Sequence, residues 1–400
     1  MQKLRNISGK NINKRMEIQP GHNIQYTPLS IALRYGELDI AEHYLECFAN
    51  SLDVTVINTH GSTALSEALS LYKVHRFFGW DEQNAERCKK IIIELIRQSP
   101  VDSFYAETVR RYISVLEEAI NAFDIEIVRA IVEKKGFDIQ NLIISSDDFS
   151  PLYYVINRCY ILSKAISEGK ITIPDNANIN WAKANFPGIF IEDKMAYYEN
   201  IKSNPLFNNI DIGKLISYDK FGKPEIWEQE FIKLKEIIKY LIDRTDDVDK
   251  FVKENPSGDR TTALSLAVES DFDDICRLLI AKGANPARIF GNNGIPYDSP
   301  FIRAAWFKSW KTLEMLLTDF KDQIKPIINN CYREDRHTTA HLLFRPDYGL
   351  LYQYSINTEN IELIKRFIPL FRSAGADFSI PDRHGNTVKQ ILHNHNLEEL

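Results

Sequence analysis

Glycine and proline are scarce in this chain, at 17 and 16 of 400 residues, about 4% each where roughly 7% and 5% are usual. No stretch of about 18 apolar residues occurs, so no transmembrane helix is expected. The five cysteines, Cys47, Cys88, Cys159, Cys276 and Cys331, are odd in number and scattered, with no Cys-x-x-Cys pair. That pattern argues against a disulfide framework and a cysteine-bound metal, and it suits free thiols in a reduced compartment. An excess of positive charge is missing too. Lys plus Arg is 49 against 55 for Asp plus Glu, a net charge of −6, which is the wrong balance for coating nucleic acid. No GxxxxGK[ST], GxGxxG or HExxH motif and no kinase set occurs. No cofactor and no metal are therefore expected.

The rest of the composition is that of a folded chain, with 44% hydrophobic and 26% charged residues. One local departure stands out. Residues 1–15 carry Lys3, Arg5, Lys10, Lys14 and Arg15 and no acid. Residues 1–21 read as a basic, flexible arm, the one place suited to contact with an anionic membrane surface. Polar Asn6, Ser8, Asn11 and Asn13 stand where a signal peptide would be apolar, so a cleaved export signal is not expected.

The chain repeats itself. Residues 27–45 read TPLSIALRYGELDIAEHYL, and residues 262–280 read TALSLAVESDFDDICRLLI with AKGANP following. Aligned on Thr27 and Thr262, Leu29 meets Leu264, Ala32 meets Ala267 and Ile40 meets Ile275. Thr suits a helix N-cap, Pro or Ala the first turn, and Gly283 a left-handed helix end. Weaker copies start at Thr63, Ser114, Ser150, Ser299, Tyr348 and, as a half-copy, Thr387. The starts 27 and 63, 114 and 150, and 262 and 299 lie 36 or 37 residues apart, close to a period of about 33. Gly61, Gly258, Gly294 and Gly385 mark hairpin tips. The turns before Ser114 and Ser150 lack glycine, and residues 99–113 read as a longer first helix in place of a hairpin.

This pattern resembles the ankyrin repeat, in which a hairpin precedes T-P-L-H-x-A, a first helix and a second helix. The resemblance implies an all-α solenoid of helix–turn–helix repeats with short or degraded hairpins. It also implies partner binding through hairpin tips and the concave face of the first helices.

The repeat period locates two extra stretches. About 12 residues, Tyr72 to Gln83, separate the helices of the second copy, and roughly 65 separate those of the fourth, whose helices read as ending near Leu162 and resuming near Trp227. The expected organisation is an arm over 1–21, repeats over 22–162 with a short insertion at 72–83, an insertion over 163–226 within the fourth repeat, and repeats with a cap over 227–400. Both insertions should leave the same edge, about 20 Å apart, with the larger reaching Phe77, Phe78 and Trp80.

Candidate partner-binding residues are Arg303, Trp306, Phe307 and Trp310 in the copy at Ser299, since Trp and Arg are frequent hot-spot residues. Tyr153, Tyr154 and Arg158 form a second group, and His75, Phe78 and Trp80 a third beside the smaller insertion. For the first two groups, internal packing is the alternative reading; Trp306 and Trp310 are four apart, as on one helix face. A cysteine hydrolase needs a thiolate, a histidine base and an orienting group. His43 with Cys47, His75 with Cys88, Cys159, and Cys331 with His337 or His341 are the sequence candidates, while Cys88 and Cys276 read as core thiols.

Three function classes stay open: a binding scaffold, a cysteine hydrolase at an insertion, and an endogenous eukaryotic or viral adaptor. A chain rich in Ile, Asn and Lys, ending HNHNLEEL, is similar to ankyrin effectors that intracellular bacteria deliver by type IV secretion. That resemblance implies a monomer acting on a host protein in the host cytoplasm, without nucleic acid.

Overall fold

The computed structural model describes residues 2–5, 7–17, 25–58, 61–77, 82–104, 114–142, 144, 149–168, 224–250, 261–292, 295–332, 335–344 and 358–397. Seven of the eight starts read from the sequence open helices on a hydroxyl. Thr27, Thr63, Ser114, Ser150, Thr262, Ser299 and Thr387 each accept from the backbone N–H three residues on, at 3.1–3.3 Å. Each bond satisfies one of the donors that a helix start leaves open. Two and five residues after the cap stand Leu29 and Ala32, Leu65 and Ala68, Leu116 and Ala119, or Leu264 and Ala267, all buried. The small alanine lets the neighbouring helix approach closely.

Contacts divide the chain into two units, Met1–Leu241 and Ile242–Leu400. The first opens with a helical turn, α1 (Gln2–Arg5), and a two-stranded antiparallel pair, β1 (Met16–Glu17) with β2 (Gln25–Tyr26). Four helix pairs follow. They are α2 (Pro28–Arg34) with α3 (Leu38–Cys47), α4 (Ala64–Phe77) with α5 (Glu82–Gln98), α6 (Val115–Asn121) with α7 (Ile125–Val132), and α8 (Pro151–Glu168) with α9 (Pro224–Arg244). First helices pack on first helices, α2 on α4, α4 on α6 and α6 on α8; second helices do likewise, α3 on α5 and α5 on α7. The unit boundary falls inside α9.

The second unit holds α10 (Ala263–Glu269) with α11 (Asp273–Ala281), then the hairpin β3 (Phe290–Asn292) and β4 (Ile295–Asp298). Next come α12 (Pro300–Trp306) with α13 (Trp310–Thr318), the short α14 (Lys321–Ile324), a 3-10 helix over Thr339–Phe344, α15 (Thr358–Ser373) and α16 (Val388–Asn394). Here too α10 packs on α12 and α12 on the 3-10 helix, while α11 packs on α13 and α13 on α15. Among the described residues the structure is helical apart from short strand pairs.

The residue nine positions after the cap sets the shape of each copy. Gly36, Phe123, Asp271, Lys308 and Asn396 all occupy it with φ between 52° and 70°. A left-handed residue there ends the first helix and turns the chain into the second. The N–H of the following residue then bonds back to the fifth-position carbonyl, as in Glu37 to Ala32 (2.8 Å), Phe272 to Ala267 (3.0 Å) and Ser309 to Ala304 (2.8 Å). In the copies at Thr63 and Ser150 the ninth residues, Tyr72 and Cys159, are buried within helix instead. There α4 runs on to Phe77 and α8 to Glu168.

Several expectations change accordingly. Of residues 72–83, read as a short insertion, Tyr72–Phe77 extend α4, Glu82 and Gln83 open α5, and 78–81 lie outside the described residues. Residues 101–104 form a single 3-10 turn rather than a longer first helix, and α6 begins at Val115. Ahead of Tyr348, Thr339–Phe344 form a 3-10 helix that packs on α12 and α15. Gly61 and Gly385 are left-handed at their turns (φ 83° and 84°), and a bridge joins Ile144 to Phe149 although that turn has no glycine. Gly258, Gly294, Tyr348, Phe78, Trp80 and residues 169–223 lie outside the described residues.

Within the segment read as a flexible arm, several described residues are packed. Leu4 and Ile12 are buried, the Tyr44 hydroxyl donates to the Leu4 carbonyl, and Asn13 bonds both the Ser51 carbonyl and the Asp53 N–H at 2.7 Å.

The ninth position yields a test. A left-handed backbone costs an L-residue about 1–2 kcal/mol, part of which glycine avoids. Lys308→Gly should therefore raise stability by about 0.5–1 kcal/mol in urea unfolding. Gly36→Ala, at the same register position, should lower it by about 1 kcal/mol. Shifts of the same sign for both would show that backbone conformation does not govern this position.

Candidate interaction surface

The extra turns of α4 meet α9 at one edge of the first unit. Arg76, in the last turn of α4, donates to Glu230 Oε2 on α9 at 2.8 Å and to the Ala122 carbonyl beside the left-handed Phe123. Its guanidinium carbon lies 6.0 Å from the centre of the Tyr72 ring. Glu230 is buried and takes a second ion pair from Lys233 at 2.8 Å. On the other side, Tyr72 donates to Asp124 Oδ2 at 2.5 Å, and Lys89 of α5 pairs with the same carboxylate at 3.2 Å. Burial pushes the Asp124 carboxyl up, but Tyr72 and Lys89 more than offset it, so it titrates below its ordinary value. Asp124 also caps α7 through the Glu126 and Ile127 N–H groups. A cavity of about 310 Å³ opens here, lined by Tyr72, Arg76, Glu82, Glu86, Gln229, Glu230 and Lys233 with Ala85 and Ile226. The second and fourth copies are thus tied together over the shorter corner of the third.

The three groups nominated from sequence do not converge. His75 is buried on α4. Tyr154 and Arg158 are core residues, 1% and 0% exposed, between α6 and α8. The Tyr154 hydroxyl lies 2.9 Å from Asn121 Oδ1 and 3.1 Å from Glu117 Oε1. The Arg158 guanidinium carbon sits 5.7 Å from the Tyr154 ring centre. Tyr153 is half-buried against Phe149, with ring centres 4.9 Å apart. Tyr154 and Arg158 offer no exposed face to a partner.

In the second unit, Arg303 is held inside the fold. Its Nε pairs with Asp298 Oδ2 at 2.5 Å and its Nη1 with Glu269 across to α10. Trp306 and Trp310 do not share a helix face, because the left-handed Lys308 separates α12 from α13. Trp310 packs against Phe367 of α15, ring centres 5.4 Å apart. Phe307 remains, 41% exposed at the corner, with half-buried Trp306 beside it.

The thiols divide sharply. Cys88, Cys159 and Cys276 are buried. Burial pushes the Cys88 thiol up to about 12 and the Cys276 thiol well above its ordinary value. Both stay protonated and are poor nucleophiles. Near Cys331, His341 Nδ1 is engaged by the Thr338 hydroxyl at 2.8 Å and its Nε2 by the Asn386 carbonyl at 3.2 Å. Only Cys47 is exposed, with Sγ 3.5 Å from His43 Nδ1 on the same helix.

Residues 259–289 match the ankyrin repeat family model. The match covers α10, α11 and the turn after them, and it supports an ankyrin-repeat family. No curated protein matches the chain. Ankyrin repeats commonly mediate binding to protein partners, so a protein–protein interaction role is supported for the chain.

The residues that build the α4–α9 edge, Tyr72, Arg76, Asp124, Glu230 and Lys233, were not singled out in the sequence. The extra length between Thr63 and the next helix was the available signal, since it places Arg76 beyond the usual corner.

Two predictions follow from buried charge. Glu117 is 2% exposed, and burial raises its carboxyl from 4.5 to about 7 against the opposing Tyr154 hydrogen bond. The folded chain therefore binds more protons than the unfolded chain between those values. Its contribution to stability falls as pH rises from about 4.5 to about 7 and is level above, a change on the order of 2–3 kcal/mol. Subtracting the stability–pH curve of Glu117→Gln from that of the native chain should reveal this step; a flat difference would contradict it. At the edge, Arg76→Ala and Glu230→Ala should each cost about 2–4 kcal/mol, because each leaves a desolvated partner. The double variant should cost clearly less than the sum, and additive losses would show that the pair is not coupled.

Proposed function

We propose that the chain is a binding scaffold of ankyrin repeats, an effector that an intracellular bacterium delivers by type IV secretion to act on a host protein in the host cytoplasm. The match of residues 259–289 to the ankyrin repeat carries the binding half of this reading. The shared caps and left-handed corners in the other copies extend it along each unit. We read the copies within each unit as ankyrin repeats of a solenoid and residues 169–223 as part of an insertion in the fourth repeat. The effector half rests on the Ile-, Asn- and Lys-rich composition and on the acid-containing stretch HNHNLEEL.

The partner contact is placed at the Trp306–Phe307 corner. Among the nominated aromatics that are described, Phe307 is the most open to solvent, and aromatic residues are frequent hot-spot anchors. Arg303 supports this corner from within, through Asp298 and Glu269.

The chain, immobilised, should retain a specific protein from a eukaryotic host lysate and none from a bacterial lysate. Trp306→Ala with Phe307→Ala should weaken retention at least about tenfold, some 1.4 kcal/mol or more. Ile232→Ala, at an exposed position on α9, should leave it unchanged. Retention unaffected by the corner variant would move the contact elsewhere, and retention from bacterial lysate alone would overturn the host assignment.

A further inference from the structure

We propose that the basic segment ahead of the first copy is a docking surface for an anionic membrane leaflet. Its cations stand on a backbone that the fold holds in place. The Leu4 carbonyl accepts from the buried Tyr44 hydroxyl, Asn13 bonds the turn after α3 at Ser51 and Asp53, and Met16 and Glu17 pair with Tyr26 and Gln25. Arg5, Lys10, Lys14 and Arg15 lie beside or between these anchors, and all four are exposed. A surface whose backbone is already ordered loses less entropy on binding than a free tail does.

Charge sets these four residues apart. Within the copies, cations meet carboxylates of neighbouring helices, as Arg34 meets Glu67, Lys73 meets Glu118, and Arg87 meets Asp39 and Glu42. Among the described residues, none of the four pairs with a carboxylate. Asp53, brought next to Asn13, turns its Oδ1 to the Thr55 N–H at 2.9 Å and to the Thr55 hydroxyl at 2.6 Å. Glu17 is the one acid within residues 1–17. The positive field is therefore not neutralised inside the segment, and an anionic surface supplies the counter-charge.

The kind of anion follows from what the segment lacks. Residues 1–17 contain no aromatic side chain on which a nucleobase could stack. The net charge of −6 over the chain opposes a nucleic acid that extends along it. Leu4 and Ile12 face inward and are buried, and no large apolar side chain among the segment's described residues is exposed. The segment thus has no anchor of the kind on which a protein interface centres. Cations against a plane of lipid headgroups need neither stacking nor an apolar pocket. Each adds its own attraction within a Debye length, about 10 Å at 0.1 M salt.

The test is co-sedimentation of the full chain with vesicles of about 30% phosphatidylserine in phosphatidylcholine. The chain should bind them at about 0.1 M salt, come off as salt rises to about 1 M, and ignore pure phosphatidylcholine. Lys10→Gln, Lys14→Gln and Arg15→Gln together should weaken binding about a hundredfold, roughly fivefold for each charge removed. Lys321→Gln, Lys325→Gln and Lys389→Gln remove as many exposed charges elsewhere and should weaken it less than about threefold. Trp306→Ala with Phe307→Ala should leave it unchanged, so this surface and the corner contact fail separately. All the altered cations are exposed, and an unchanged circular dichroism spectrum confirms that each variant is folded. No binding to the anionic vesicles, equal loss in both triple variants, or capture of single-stranded RNA in place of vesicles overturns the proposal.

Discussion

The first helix of each copy must stop where its ninth residue adopts a left-handed backbone, and the arrangement of both units depends on that stop. Once φ turns positive, the next N–H reaches back to the carbonyl of the fifth residue, and the second helix is forced back along the first. Alanine at that fifth place, as at Ala32, Ala267 and Ala304, permits the return at close range. Only Gly36 uses the residue that adopts this conformation freely. Phe123, Asp271, Lys308 and Asn396 bear it under local strain. Their side chains show what offsets it. Phe123 is buried, and Asp271 accepts from the Thr312 N–H at the start of the next copy's second helix. The scarcity of glycine is thus met by tertiary contacts that hold the corner in place.

Where the stop is absent, the helix overshoots. Tyr72 and Cys159 stay helical, and the extra turns of α4 carry Arg76 past the corner of the third copy. An arginine has the reach and the planar fork to satisfy the Ala122 carbonyl and a buried carboxylate at once. The overshoot also brings the Tyr72 hydroxyl to Asp124, whose other oxygen caps α7. One missing left-handed residue therefore changes local helix length, packing between copies and the electrostatics of an edge.

The copies at Thr27 and Thr262 were legible because their signature letters coincide with their physical roles: a cap, a small residue and an apolar stripe. The segment Thr339–Phe344, which packs on α12 as a first helix would, is less legible. Its helix is a short 3-10 turn, too brief for periodicity to show. Three of the nominated residues are buried or paired inside the fold for a general reason. Tyr154, Arg158 and Arg303 are the residue types of both binding hot spots and buried polar networks, and sequence alone does not tell which partner, internal or external, satisfies them. The Trp306–Trp310 spacing misled in a different way. Four residues imply one face only if the helix is continuous, and the left-handed Lys308 breaks it.

These internal partners decide where recognition can occur. Over α2, α6, α10 and α12 most side chains are buried between neighbouring helices. The charged residues that emerge from them are frequently paired across copies, as Arg34 with Glu67, Lys73 with Glu118 and Arg303 with Glu269. A partner approaching those strips would have to break ion pairs that already stabilise the stacking, at a desolvation cost no new contact easily repays. The corner at Lys308 leaves an aromatic side chain open. Corner backbones are fixed by the left-handed turn, and their side chains vary from Gly36 to Lys308 without disturbing the register. The left-handed residues themselves can be tied into the stack, as Phe123 and Asp271 are, whereas Phe307 beside Lys308 is 41% exposed and is not the residue that makes the turn.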